Sequence, residues 1–256
     1  MSEDLNLSCK SVQHRLATQW GYVKGTLDEL NIFFKKAKVS GVPYEVDLPV
    51  TDSVKLVWST ECMEGYIAAM ARVSNPANQD NPDYEKLIKY LIKHQHWSPF
   101  EMVNVCMEIN CTRDIARQIL RHRSFTFQEF SQRYAESTDF VTSEARLQDT
   151  KNRQASLETA DEVLRGNWYY LQQEVLETAQ RAYKGALRAG IAKEVARKVL
   201  PEGLTMSKMY MNGTLRSWIH YVQLRTGPET QKEHRIVAQQ CKDILCQLCP
   251  TVMNSL

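Results

Sequence analysis

Apolar residues recur along this 256-residue chain with two different periods. Over residues 61–72, Met63, Ile67, Met70 and Ala71 lie three or four positions apart, which sets them on one face of a helix. Residues 83–94 repeat the pattern through Leu87, Ile88 and Leu91 and predict a second, amphipathic helix. Elsewhere the period is two. VKLVWS, from Val54, alternates and reads as a strand. After a break at Pro99, Val103, Val105, Met107 and Ile109 fall on one side of another strand beginning near Met102. Thr112 then offers an N-cap, with Asp114 in the first turn, for a helix running to about Arg121.

The second half is dominated by the helical period. Residues 158–188 predict one long helix through Trp168, Leu171, Val175, Leu176 and Ala179, closed by Gly190. Residues 192–200 predict a short helix stopped by Pro201, and residues 206–224 and 229–248 the last two, parted by Gly227 and Pro228. Residues 74–82 form a breaker-rich loop. Near the start, residues 12–30 have weak helical spacing, and Gly41, Pro43 and Pro49 punctuate a loop. The order predicts an α+β fold: a single helix-rich domain spanning 1–256 with a small central β-sheet. Residues 1–50 read as an N-terminal extension of unknown role.

Composition narrows the class. With 43% hydrophobic and 24% charged residues the chain is an ordinary globular sequence, and a net charge of +2 gives no footing for nucleic-acid binding. Its apolar runs fall far short of the ~20 residues a membrane helix needs, and MSEDLNLSCK does not resemble a secretory leader. Seven scattered Cys point to reduced thiols and a cytoplasmic protein. Cys246 and Cys249, with Cys241 upstream, sit late in a predicted helix and read as buried apolar thiols. His94, His96 and Glu101 match no helix-face zinc spacing, so no metal site is predicted. The charged TQKEHR segment around Glu233 reads as a solvated helix face.

Positive charge is concentrated instead. Arg113, Arg117, Arg121, Arg123 and Arg133 cluster, and RHRSFTFQEFSQRY (121–134) interleaves the last three with Phe125, Phe127 and Phe130. Arginine forks grip phosphates and carboxylates bidentately, and the phenylalanines supply an apolar wall. Arg113 and Arg117 read as partners of acidic neighbours. Arg121 lies where the helix ends, so it can converge with His122 and Arg123 on an anionic ligand carrying a flat ring.

Arg-His-Arg, seven residues, then Ser131 resembles the signature of the flavin-dependent thymidylate synthases. HWSPFE (96–101), ARVS (71–74), ARKVLP (196–201) and NGTLRSWIHYVQLR (212–225) resemble further segments of that family in the same order. The resemblance runs from about Val54 to the C-terminus. It implies reductive methylation of deoxyuridine monophosphate (dUMP) to dTMP. Methylenetetrahydrofolate would give the carbon, reduced FAD the hydride, and NAD(P)H would regenerate the flavin. It also implies a homotetramer with active sites between subunits, and residues 168–179 would suit an interface. No Cys sits in an activating motif, which fits a reaction without an enzymic thiol nucleophile.

Residue by residue, the resemblance places Arg121, His122, Arg123 and Ser124 on the flavin, together with Ser74, Ser98 and Glu101 and, from the last segment, Thr214, Arg216 and His220. His96 would stand beside the reacting rings. Gln118, Glu129, Ser131, Gln132, Arg133 and Arg197 would surround the nucleotide, Arg133 and Arg197 at its phosphate. Arg225 would meet the uracil carbonyls. Gln128, Met102 and Thr214 depart from the family's usual Asn, His and Asn. Two other readings compete: a nucleic-acid-binding module built on residues 113–134, and a metal hydrolase built on His94, His96 and Glu101. Glu129 within the basic patch weakens the first, and the missing ligands weaken the second.

Overall fold

The computed structural model describes residues 53–256 apart from Asp80 and Thr138; the expectations for residues 12–50 lie outside this range. Among the described residues the core is a four-stranded antiparallel sheet, order β1 (Val54–Ser59), β2 (Asn104–Thr112), β6 (Met206–Thr214), β3 (Thr126–Glu129). Leu56, Met107, Met211 and Phe127 stand in register across it. Met107 and Met211 are fully buried in that row, whereas Tyr210 and Trp58 look out from the opposite face. Helices α1 (Met63–Ala71) and α2 (Glu85–Lys93) fall close to their predicted places. So do α3 (Arg113–Ile119) and α4 (Glu162–Arg188), with Gly190 at a positive φ of 82° just past the end of α4. Thr112 is the α3 N-cap by backbone geometry, although its side chain caps nothing.

The expected helix over 206–224 is corrected. Its first half is strand β6, and only α6 (Leu215–Arg225) is helical. Ser207, Met209, Met211 and Gly213 are buried while Lys208 and Tyr210 face out, a two-residue period that a helix cannot satisfy. Thr214 ends the strand and caps the helix, its Oγ1 accepting from the Ser217 N–H at 3.3 Å. The expected start of α4 at 158 is also too early. Residues Ser156–Glu158 form β5, paired with β4 (Arg146–Gln148), and Asp161 caps α4 through the Val163 and Leu164 N–H groups. Helices α5 (Lys193–Ala196), α7 (Lys232–Leu248) and α8 (Pro250–Met253) complete the chain.

Two close fits tie site to scaffold. Trp218 of α6 is fully buried and donates its indole N–H to the Val105 carbonyl at 3.0 Å, which clamps α6 to β2. Gly213 leaves room for the Phe125 ring: a Cβ there would stand 2.5 Å from the ring edge. Phe125 then packs edge-on against Trp218 (4.9 Å) and Tyr221 (6.0 Å), which fixes the turn after Arg121-His122-Arg123.

Candidate functional site

The C-terminal turn after α3 and helix α6 meet at His122. Its Nε2 accepts from Arg225 Nε at 3.0 Å, and its ring stands edge-on to Tyr221 at 5.0 Å. The bond places the His122 proton on Nδ1, so the imidazole is neutral. Burial is the main reason its pKa falls to about 4, and Arg225, His220 and Arg121 push the same way. With Nε committed to His122, the Arg225 fork faces no acidic partner among the described residues. Arg121 and Arg123 carry no ion pair there either. Arg113 and Arg117, by contrast, pair as expected with Glu129 (3.5 Å) and Glu202.

Behind His122 lies a network that the sequence reading missed. Gln118 Nε2 donates to Gln231 Oε1 at 2.8 Å, so its Oε1 must accept from His234 Nδ1 at 3.2 Å. His234 Nε2 is then the acceptor for the Tyr221 hydroxyl, also at 3.2 Å. Burial, with Arg225 and His122 adding repulsion, holds His234 neutral, its pKa down to about 3. The TQKEHR segment is therefore not a solvated face. His234 is fully buried, and Glu233 meets Arg146 at 2.5 Å. Tyr221 was within reach of the sequence, inside IHYVQLR; nothing local marks His234.

A cleft of about 460 Å³ opens beside this turn. Glu101, Ser124, Arg216 and His220, four expected cofactor contacts from three segments, line it together with Trp97 and Ser217. Arg216 and Glu101 pair across it at 2.5 Å, and Ser217 Oγ donates to the Ser124 carbonyl at 3.3 Å. Trp97 sits inside HWSPFE, where its flat face could have been anticipated. Ser98 begins the short 3₁₀ turn Ser98–Glu101 at the cleft edge. His96 is exposed and packs against Tyr90 (5.9 Å) and His94 (6.1 Å), not against His122. Ser74 is exposed in a loop that buried Arg72 anchors to the Asn81 and Asp83 carbonyls at 2.6 and 2.7 Å.

The remaining candidates form a separate group. Glu129 is fixed by Arg113 and by Ser207 Oγ at 2.9 Å. Ser131 Oγ accepts from the Arg133 N–H at 3.4 Å, and Gln132 is buried with its Nε2 unpaired. Arg133 and Arg197 converge on Glu194: Arg133 Nε is 3.6 Å from its carboxylate, and Arg197 Nε donates to its main-chain oxygen at 3.4 Å. Arg225 instead joins His122, so the expected nucleotide contacts fall into two separate groups within the chain. Burial pushes the Cys111 and Cys249 thiols up to about 12 and raises Cys106 and Cys241 as well, which disfavours the reactive thiolate at these four positions. No group of three or more His, Cys, Asp or Glu among the described residues could hold a metal ion, and no helix among them is long and apolar enough to cross a membrane.

Two arginines with no ion pair among the described residues, in the turn between α3 and β3, stand beside a cleft lined by Trp97 and His220, an arrangement suited to anionic, ring-bearing ligands. Residues 55–251 match the family described as thymidylate synthase complementing protein. The chain is 50% identical to the flavin-dependent thymidylate synthase of Synechocystis sp. over 193 residues, 75% of this chain and 89% of that one. It is 47% identical to the probable flavin-dependent thymidylate synthase of Paramecium bursaria Chlorella virus 1, over 75% of this chain and 90% of the other. The UMP/dUMP methylase PolB of Streptomyces cacaoi, solved with 5-Br dUMP, superposes with a TM-score of 0.71 at 28% identity, covering 79% of this chain and 93% of PolB. The chain belongs to the flavin-dependent thymidylate synthase family.

Proposed function

We propose that this chain methylates dUMP to dTMP, with methylenetetrahydrofolate as carbon donor, FAD as bound cofactor and NAD(P)H as reductant. The observation that carries this reading is the convergence of Glu101, Ser124, Arg216 and His220 on one cleft beside the unpaired Arg121 and Arg123. Cations, hydroxyls and the Trp97 ring suit a dinucleotide, with Arg121 and Arg123 at its pyrophosphate. Bound there, the flavin supplies the hydride that completes the methyl group. Ser74, Ser98 and Thr214 would support the cofactor side, and His96, exposed on the segment that carries Trp97, would turn toward the rings.

The chain's own residues position and polarise the nucleotide. Arg225, aimed by neutral His122, would place its free fork at the uracil carbonyls, where negative charge builds as C5 becomes nucleophilic. Arg133 and Arg197 would exchange Glu194 for the phosphate, while Gln118, Glu129, Ser131 and Gln132 hold the sugar and ring edge. Because Arg225 and the Arg133–Arg197 pair belong to separate half-sites, we place each complete site between subunits of a homotetramer. Trp168 and Val175 on α4 and Trp58 and Tyr210 on the sheet are exposed apolar surface for such contacts; Leu176 and Ala179 are buried within the chain itself. The buried thiols suit the reducing cytoplasm.

Purified protein should show flavin absorbance and form dTMP from dUMP only with methylenetetrahydrofolate and NAD(P)H present. Colourless protein that FAD cannot reconstitute would refute the reading.

A further inference from the structure

A second cavity, of about 520 Å³, lies beneath α4 and is closed by residues 141–146, the start of α3 and the start of α7. One wall is apolar, formed by Ile115, Val141, Leu171, Val175, Met206 and Ile236. The other carries Asp114, Thr142, Glu144, Arg146, Lys232 and Glu233. Four buried atoms of that polar wall, the oxygens Asp114 Oδ1, Thr142 Oγ1 and Glu233 Oε2 and the nitrogen Arg146 Nη1, have no hydrogen-bond partner among the described residues. Buried polar atoms are nearly always paired; Arg146 Nη1 at least faces the Glu144 carboxylate at 3.4 Å, so it is the three oxygens that mark a missing donor. Two of them are carboxylate oxygens, which only accept.

Each cation of the wall already faces two carboxylates. Arg146 lies 2.5 Å from Glu233 and 3.4 Å from Glu144, and Lys232 lies 2.8 Å from Glu144 and 2.7 Å from Glu158. Asp114 has no ion pair among the described residues. The lining therefore calls for N–H donors and favours positive charge, while the facing wall calls for an apolar body. Water could satisfy the first demand but not the second. The volume falls in the range of small-molecule sites.

We propose that this cavity is a second ligand site, taking a compact molecule that joins an apolar ring or branched body to an amidine or amine group. Gln231 lines the cavity and accepts from Gln118, so the site shares a wall with the His234 network but none of the cleft residues.

Benzamidine is a suitable probe, titrated by calorimetry into the flavin-loaded full chain. One molecule should bind per chain with a Kd of about 1 mM or tighter. Asp114→Asn, nearly isosteric, should weaken it roughly tenfold or more. Leu171→Trp, filling the cavity from α4, should remove it in protein with an unchanged unfolding midpoint. Toluene, the same ring without the donors, should bind more weakly, and Arg225→Ala should leave benzamidine binding intact. No saturable binding, equal binding to Asp114→Asn, or toluene binding as tightly would each overturn the proposal.

Discussion

The two half-sites differ in how much of their geometry the single chain already fixes. Around His122 the groups are buried or half-buried and mutually bonded, with both imidazoles neutral, so that Arg225 is aimed before any ligand arrives. Around Glu194, Arg133 is exposed and Arg197 half-buried, and the Arg133 contact of 3.6 Å involves side chains more than half open to water. A pair of that kind contributes little to stability and is readily given up. The first group is preorganised; in the second, Arg133 rests loosely on the Glu194 carboxylate and Arg197 on its main-chain carbonyl, and under the proposed function a phosphate would replace these contacts. Rigid aim suits a group that must meet charge developing in a transition state, whereas a loose pair suits capture.

The strongest way to break this contrast is Arg225→Ala. If Arg225 acts on developing charge, its loss should lower kcat about 10²- to 10³-fold while flavin content, read from the absorbance of the purified protein, stays high. A change confined to KM would put Arg225 with the capture group instead. Arg197→Ala should behave oppositely: KM for dUMP should rise roughly ten- to a hundredfold, with kcat at saturation little altered. Steady-state kinetics with folate and NAD(P)H saturating separate the two.

The same contrast explains what the sequence made legible. Positions that repeat with a clean period, such as Val105, Met107 and Ile109, or that stand in a compact motif, such as Arg121-His122-Arg123, were readable locally. Strand β6 was not, because Met206–Thr214 runs straight into α6 and its methionines fit either period until the register with β2 chooses. Gly213 beside the Thr214 cap was the available clue. His234 lies 112 positions beyond His122, amid charges, and gains its role only when α7 packs beside α6. The hairpin β4–β5 is short and exposed, so no apolar alternation announces it. The candidate residues on the cleft were legible one by one, but not their separation into two groups, which packing decides.

Gly213→Ala tests how far the rigid half-site depends on its scaffold. The added Cβ would meet Phe125 at 2.5 Å, so the ring must shift away from Trp218 and Tyr221. Overpacking of this kind costs about 1–3 kcal/mol, measurable by urea denaturation. The turn carrying His122 should move with the ring, so kcat should fall while KM for dUMP holds. A mutant losing stability with unchanged kcat would show that the His122 turn is held by other contacts.

The smallest expected effect is a pH dependence, and it separates the half-sites most cleanly. In the unfolded chain His122 and His234 titrate near 6.5, while folding lowers them to about 4 and about 3. Between those limits the unfolded state binds more protons, so stability falls as pH drops from about 6.5 toward 4 and levels off below about 3. Above 6.5 the pair adds no slope. His234→Gln removes one member, so the difference between wild-type and variant urea midpoints should change across that window and be flat above it. Carboxylates with lowered pKa, such as Glu108, titrate in both proteins and cancel in the difference. Substituting Glu194 by Gln, in the exposed half-site, should leave the same slope untouched. Equal slopes in wild-type and His234→Gln would mean that His234 is not held neutral, and the aim of Arg225 would then need another cause.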